Sequence, residues 1–384
     1  MLENIPADEQ KQIEHIVQLT MQQLQMRFPG DKRVLRGVHA KDHGCVTATF
    51  EVLPNIAENL RQGVFAQPGK KCSALVRFSN AATGVERDST PATEAIPATL
   101  GKPAVEAKPL AHGSRGMAIK LLGVEGPVLD ILELPHGAPT QDFLMVNHPV
   151  FAFANVEDYE VLSRALIVDR KDSPGPFFTE RLPPKGTRTP TASQLRALRT
   201  FTLVQRIRSV SVTAKPFPAF QAPPASPVDN DYFSAAPFLF GKDQVMQFRA
   251  RPIKRSTDEP NVNEENYLRL ALIERLRNQA EGNVVFNFEV QVRPASSINP
   301  DLDIEDATLP WPDTSEYQHV ATLTIPLQEF DTTELKERCE RLIFTPWHCL
   351  EAHRPLGGIN RLRRAVYEAS AKFRSLPKEP AAVD

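Results

Sequence analysis

Two periodicities alternate along this chain. Between residues 8 and 28, Ile13, Ile16, Val17, Met21, Leu24 and Phe28 recur at helical spacing, and Pro29-Gly30 supplies the stop. The spacing predicts an amphipathic helix there, used for packing or for oligomerisation. Further helices are expected over 156–168, 191–209, 266–279, 332–343 and 359–375. Asn155, with Asp158 three residues later, marks the start of the first of these. Between the helices lie strand-like runs: Cys45–Leu53, Cys72–Phe78, Gly116–Leu122, Val128–Leu134, Val284–Val292 and His319–Ile325. The run at 284–292 alternates cleanly, with Phe286, Phe288, Val290 and Val292 on one face. Consecutive antiparallel strands flanked by helices predict an α+β protein built on a closed or nearly closed β-barrel.

Composition changes this picture in one respect. The 384 residues include 34 prolines, about twice the average share, and they cluster. Ser173–Pro190, Lys215–Pro227 and Thr90–Pro109 therefore read as long wrapping loops rather than as helices or central strands. A net charge of −2 provides no global attraction for nucleic acid. No apolar run is long enough to span a bilayer, and the first residues carry no secretion signal, so a cytoplasmic location is expected. Cys45, Cys72, Cys339 and Cys349 lie far apart, which suits neither a disulfide framework nor a zinc site. No dinucleotide or P-loop fingerprint and no GxSxG elbow occur.

Three segments carry candidate chemistry. On the last helix Arg363 and Tyr367 are four residues apart and share a face with Ile359, Leu362 and Val366. Ionising a tyrosine at neutral pH needs a drop of about 3 from its usual value near ~10, roughly 4 kcal/mol. One close arginine supplies about that much at best. By the residues alone, a core tyrosine beside a snorkelling arginine is the plainer reading. In the segment RGVHAK, His39 precedes a glycine-punctuated turn and follows Arg36 by three residues. It is a candidate acid/base or a satisfied hydrogen-bonder. His43, in the next turn, reads as solvent-facing. In LVRFSN, Arg77 and Ser79 share one side of a strand and Phe78 the other. Arg77 needs a carboxylate partner there, whether a side chain or a ligand. Ser79 is placed to bond His39. His348, Cys349 and His353 read as loop residues without a metal role.

Taken together, RGVHAK at 36–41, VRFS at 76–79, SRGMAIKL at 114–121 and Arg363-x-x-x-Tyr367 resemble, in order, the motifs of the haem catalase superfamily. The resemblance implies a catalase-like antiparallel barrel with surrounding helices and long wrapping loops. It implies an N-terminal helical arm over 1–30, a haem domain over 31–376 and a disordered tail over 377–384. It also implies haem b as cofactor, with Tyr367 as the axial iron ligand, a phenolate kept anionic by Arg363. His39 would be the distal acid/base, oriented by Ser79. Arg36, Arg77 and Arg374 would hold the haem carboxylates. The implied activity is cleavage of hydrogen peroxide or organic hydroperoxides by a homo-oligomer with no nucleic-acid or membrane partner. Departures point to the small catalase-related group. The chain ends about ten residues after Arg374. The family's distal asparagine has no clear counterpart, Asn147 and Gln141 being candidates, and Phe151 or Phe153 could stack over the haem. Two alternatives remain: a fatty-acid (lipid) hydroperoxide isomerase or dehydratase of the allene oxide synthase type, and a non-catalytic barrel binding protein. Val38 before His39 resembles true catalases, whereas threonine typically stands there in the allene oxide synthases.

Overall fold

The structure, a computed structural model, describes residues 2–28, 35–82, 84–90, 92, 111–132, 138–151, 153–167, 222–311 and 315–374. Eight strands close into an antiparallel barrel in the order of the chain. They are β1 (Asp42–Val52), β2 (Lys71–Asn80), β3 (Arg115–Leu122), β4 (Thr140–Val146), β5 (Tyr232–Phe233), β6 (Gln244–Pro252), β7 (Val284–Pro294) and β8 (Tyr317–Ile325). Each pairs with the next, and β8 returns to β1 with Thr49 opposite Thr324. Closure leaves no barrel edge open to another chain. Phe238–Leu239 adds a short ribbon beside β6.

Alternation along the strands fills the barrel with aromatic rings. Phe50, Phe143, Phe248 and Phe288 come from β1, β4, β6 and β7, and Phe65 enters from a 3-10 turn between β1 and β2. Phe143 sits 4.8 Å from Phe288 and 5.0 Å from Phe248, ring centre to ring centre. An eight-stranded barrel has room for side chains and little else. Any sizeable cavity must therefore lie outside it, and one does.

Among the described residues five helices accompany the barrel. They are α1 (Glu9–Arg27), α2 (Val156–Ile167), α3 (Tyr267–Arg277), α4 (Thr333–Arg341) and α5 (Gly358–Phe373). Ile13 and Ile16 of α1 pack with Val156 of α2 and with Leu362 and Val366 of α5. The start of α2 follows its sequence signature: Asn155 Oδ1 accepts from the Asp158 N–H at 3.1 Å, and Asp158 reaches back to accept from the Ala154 N–H at 3.0 Å. Arg361 fixes α5 to the amino-terminal segment through Glu3 and Glu9 (both 2.6 Å) and to Glu305 (2.8 Å). Among the described residues no helix is long and apolar enough to cross a membrane.

Two expectations need correction. Val128–Leu132 is not a strand: it makes a single bridge, Val128 to Leu350, and residues 133–134 lie outside the described residues. The fourth barrel strand is instead Thr140–Val146, in the stretch expected to supply the distal amide. His43 does not face solvent. A bulge between Asp42 and Gly44 turns it inward, where Nε2 meets Asn80 Oδ1 at 2.9 Å. The helix expected over 191–209, most of the proline-rich loops and the tail over 377–384 lie outside the described residues.

Candidate active site

The face of α5 that carries Ile359, Leu362, Arg363, Val366, Tyr367 and Ser370 looks across a cavity of about 330 Å³ at the outer face of the β2–β4 sheet. Arg36, His39, Arg77, Ser79, Arg363, Tyr367 and Arg374 all line it, although they come from three separate stretches of chain. The remaining wall is largely apolar, with Val38, Leu144, Val146, Val150, Phe151 and Phe153. Both phenylalanines proposed as stacking partners thus reach the cavity.

His39 is held from three sides. Its Nδ1 lies 3.0 Å from Ser79 Oγ, and its carbonyl accepts from the Arg77 guanidinium at 2.9 Å. Its backbone is left-handed, with φ of 57°, a conformation that costs a histidine on the order of 1 kcal/mol or more. The ring lies against Gly116, where any Cβ would collide with Nδ1 and Cε1. Burial, followed by the positive charges of Arg77, Arg363 and Arg36, pushes His39 down to about 3. The imidazole is therefore neutral at pH 7, able to accept a proton, and Nε2 has no partner among the described residues.

Opposite His39, Arg363 and Tyr367 stand one turn apart on α5. The guanidinium carbon of Arg363 lies 5.7 Å from the ring centres of both Tyr367 and Phe151, and Nη1 donates to Asn360 Oδ1 at 3.1 Å. Neighbouring Tyr159, also in the wall, is pushed up to about 12 by burial and by Tyr367.

The end of the cavity is crowded with cations. Arg36 donates to the carbonyls of Cys339 and Leu342 at 2.9 and 2.8 Å, and Arg374 to that of Glu340 at 3.0 Å. Both thereby cap the carboxyl end of α4, where positive charge is favoured. The only carboxylate bonded to this cluster among the described residues is Glu340, 2.7 Å from Arg36 and 3.8 Å from Arg77. Three guanidinium groups against one carboxylate leave two positive charges in excess. Burial, with Arg36 and Arg77 adding repulsion, lowers Arg374 to about 9. Nε of Arg77 and Nε of Arg374 are buried without a hydrogen-bond partner. A dianion placed here would neutralise the excess and supply acceptors. Cys45 and Cys339 meet beside the same arginines as hydrogen-bonded free thiols, despite their separation in sequence.

Neither expected amide joins the site. Gln141 accepts from the Leu350 N–H at 3.0 Å, Asn147 accepts from the Arg115 N–H at 2.7 Å, and neither lines the cavity. In their place the sequence reading missed Ser114 and His148, which face the cavity with His148 Nε2 2.8 Å from Ser114 Oγ. Their only signal is register: each lies two residues from a residue, Gly116 or Val146, that faces the site. Among the described residues no cluster of three or more His, Cys, Asp or Glu side chains could hold a metal ion.

The sequence matches no family model, and no curated protein is significantly similar to it. Solved structures are another matter. A fungal catalase superposes with a TM-score of 0.57 at 16% identity, covering 90% of this chain and 60% of its own. Catalase A from Saccharomyces cerevisiae (0.55, 17%, covering 90% and 62%) and a bacterial catalase (0.55, 16%, covering 90% and 58%) do likewise. The chain spans about three-fifths of the length of these proteins. At such low identity the likeness speaks to architecture, and on that level it is plain: this chain has a catalase-like α+β barrel fold.

Proposed function

We propose that the protein is a haem-dependent hydroperoxidase that cleaves hydrogen peroxide or organic hydroperoxides. One observation carries this reading: a neutral histidine bonded to a serine and an arginine–tyrosine pair face each other across an apolar cavity whose end holds two uncompensated cations. Haem b is a flat apolar ring with two carboxylates, so its chemistry fits walls of this kind. Tyr367 would hold the iron through its phenolate oxygen, and Arg363 would stabilise that negative charge. Arg36, Arg77 and Arg374 would bind the carboxylates. The bound group would supply an iron centre able to coordinate and reduce a hydroperoxide.

The chain's own part is acid/base work. His39 takes the hydroperoxide O–H proton on Nε2 and returns it to the departing oxygen, while Ser79 keeps the ring in place through Nδ1. Burial is the chief cause of its low basicity, and a loaded cavity would relieve only the lesser, coulombic part. Carboxylates on Arg36 and Arg77 would cancel two of the positive charges that now depress it. The apolar walls and the rings of Phe151 and Phe153 exclude water from the transfer.

The test is an absorption spectrum of the purified protein followed by an oxygen-electrode trace with hydrogen peroxide. We expect a Soret band and peroxide-dependent turnover. A colourless protein that cannot be reconstituted with haem would overturn the reading. Negligible peroxide turnover with a rearranged product from a fatty-acid hydroperoxide would move the activity to isomerisation.

A further inference from the structure

Two thiols meet beside the arginine cluster without lining the cavity. Cys45, Arg77, Ala118 and Leu144 stand in one register row across β1, β2, β3 and β4. The last three line the cavity, and Cys45 stands one strand beyond them, about 5 Å further on. Val46, Ala48 and Phe50 point into the barrel core, so Cys45 lies on the outer face, where α4 packs on β1.

Polar contacts hold α4 there at both ends. The Thr47 N–H donates to Gln328 Oε1, and Gln328 Nε2 donates to the Thr47 carbonyl, both at 2.9 Å. Arg269 joins Asp42, at the start of β1, to Asp331, just before α4. At the other end Arg36 donates to the Cys339 carbonyl at 2.9 Å. The Glu340 carboxylate lies 2.7 Å from Arg36 and 3.8 Å from Arg77, the register partner of Cys45. Cys339, in the last turn of α4, is thereby brought to Cys45, and the two free thiols are hydrogen-bonded to each other.

The four cysteines differ chemically. Burial raises the thiols of Cys72 and Cys349. Cys339 is lowered by the hydrogen bond from Cys45 and, against burial, by Arg77 and Arg36. Cys45 is the partly exposed member of the pair and Cys339 the buried one. An accessible sulfur, a second sulfur in contact with it and two cations that favour negative charge are what a peroxide-reactive thiol pair needs.

We propose that Cys45 and Cys339 form a reversible disulfide when the protein meets a hydroperoxide, fastening the carboxyl end of α4, with Glu340, to β1. Proton exchange across their hydrogen bond makes Cys45 the thiolate. Its sulfur attacks the hydroperoxide, an S–O bond forms, the O–O bond breaks, and the leaving oxygen takes a proton to give an alcohol. Cys339 then attacks the sulfenic sulfur of Cys45 and expels its hydroxyl as water. In all, two thiols lose two electrons and two protons, and the hydroperoxide is reduced to alcohol and water. The step needs no cofactor, so it stands apart from the hydroperoxidase reading.

The test is peptide mapping by mass spectrometry, without reductant, after treatment with tert-butyl hydroperoxide and alkylation of the remaining thiols. We expect one linked peptide pair, Cys45 with Cys339, in a protein lighter by two hydrogens, with Cys72 and Cys349 still free. The thermal midpoint should rise by roughly 5 °C, and dithiothreitol should reverse both changes. Cys45→Ser and Cys339→Ser should each lose the link and the rise. Four free thiols after treatment, a link through Cys72 or Cys349, or Cys45 oxidised to the sulfinic acid without a link would each overturn the proposal; none of these readouts requires a variant to fold. A link without a rise in midpoint would overturn the fastening of α4. The link should also form in Tyr367→Phe, whatever its Soret band; a link that needs Tyr367 would assign the oxidation to the cofactor and overturn the cofactor-free step.

Discussion

Gly116 decides where the imidazole of His39 lies. Its missing Cβ leaves the space that the His39 ring and the Ser79 hydroxyl share. We expect Gly116→Val to keep the pigment and to separate His39 from Ser79, lowering turnover toward the level of His39→Ala. That substitution should itself cost about 10²–10⁴-fold, the usual range of acid/base help, with the spectrum retained. Stopped-flow peroxide consumption on both variants checks this; a Gly116→Val enzyme of full activity would remove the glycine from the argument. Tyr367→Phe should instead abolish or strongly shift the Soret band, and an unchanged spectrum would place the ligand elsewhere. At this scale the sequence was informative where a motif constrains several positions at once. His39, Ser79, Arg77, Arg363 and Tyr367 were all legible and all line one cavity. Single polar residues were not. His43, Gln141 and Asn147 looked available, yet each is bonded inside the sheet, because a bulge or a ladder end, not local sequence, sets which way it points.

Helix α5 carries half of the site, and its orientation depends on Arg361 on its other side. That guanidinium answers Glu3, Glu9 and Glu305 together, and it is largely shielded from solvent. Arg361→Ala would leave three carboxylates facing one another at the junction of α1 and α5. We expect a loss of about 1.5–3 kcal/mol, as for hydrogen bonds to charged groups, seen as a lower urea midpoint and as earlier proteolysis near residues 2–28. A midpoint equal to wild type would mean that apolar packing alone holds α1 in place. Five of the predicted helices, including α1 and α5, appear where the helical period placed them, because their apolar faces pack on α-helical or barrel neighbours. The strands with long alternating runs were equally legible. The short strand Tyr232–Phe233 and the strand Gln244–Pro252 were missed. The first is two residues long, and the second carries arginines at 249 and 251 that hide its alternation. Those arginines are matched by Glu289 on the neighbouring strand, at 2.5 and 2.7 Å, a pairing that no local pattern announces.

The distribution of neutral histidines makes the whole molecule acid-sensitive. Burial is the first cause of depression for four of them: His39 to about 3, and His43, His148 and His353 to about 4. They occupy distinct places. His39 and His148 line the cavity, and His43 fills the bulge of β1. His353 accepts from the Val64 N–H at 3.1 Å beside Phe65 at the barrel core. In the unfolded chain each titrates near ~6.5. The folded values are lower, so unfolding takes up protons between about pH 6.5 and about pH 4, and each histidine removes at most about 1.4 kcal/mol of stability per pH unit in that window. The contribution is whole above pH 6.5 and lost on acidification. Because the four sites span core, bulge and cavity, the barrel and the pocket should weaken together rather than in sequence. Thermal unfolding followed by circular dichroism, with the Soret band as a second probe, should show one transition whose midpoint falls from pH 7.5 to pH 5. A midpoint that holds or rises over that range would mean that the histidines are already charged in the folded protein, and His39 could not then act as the proposed neutral base.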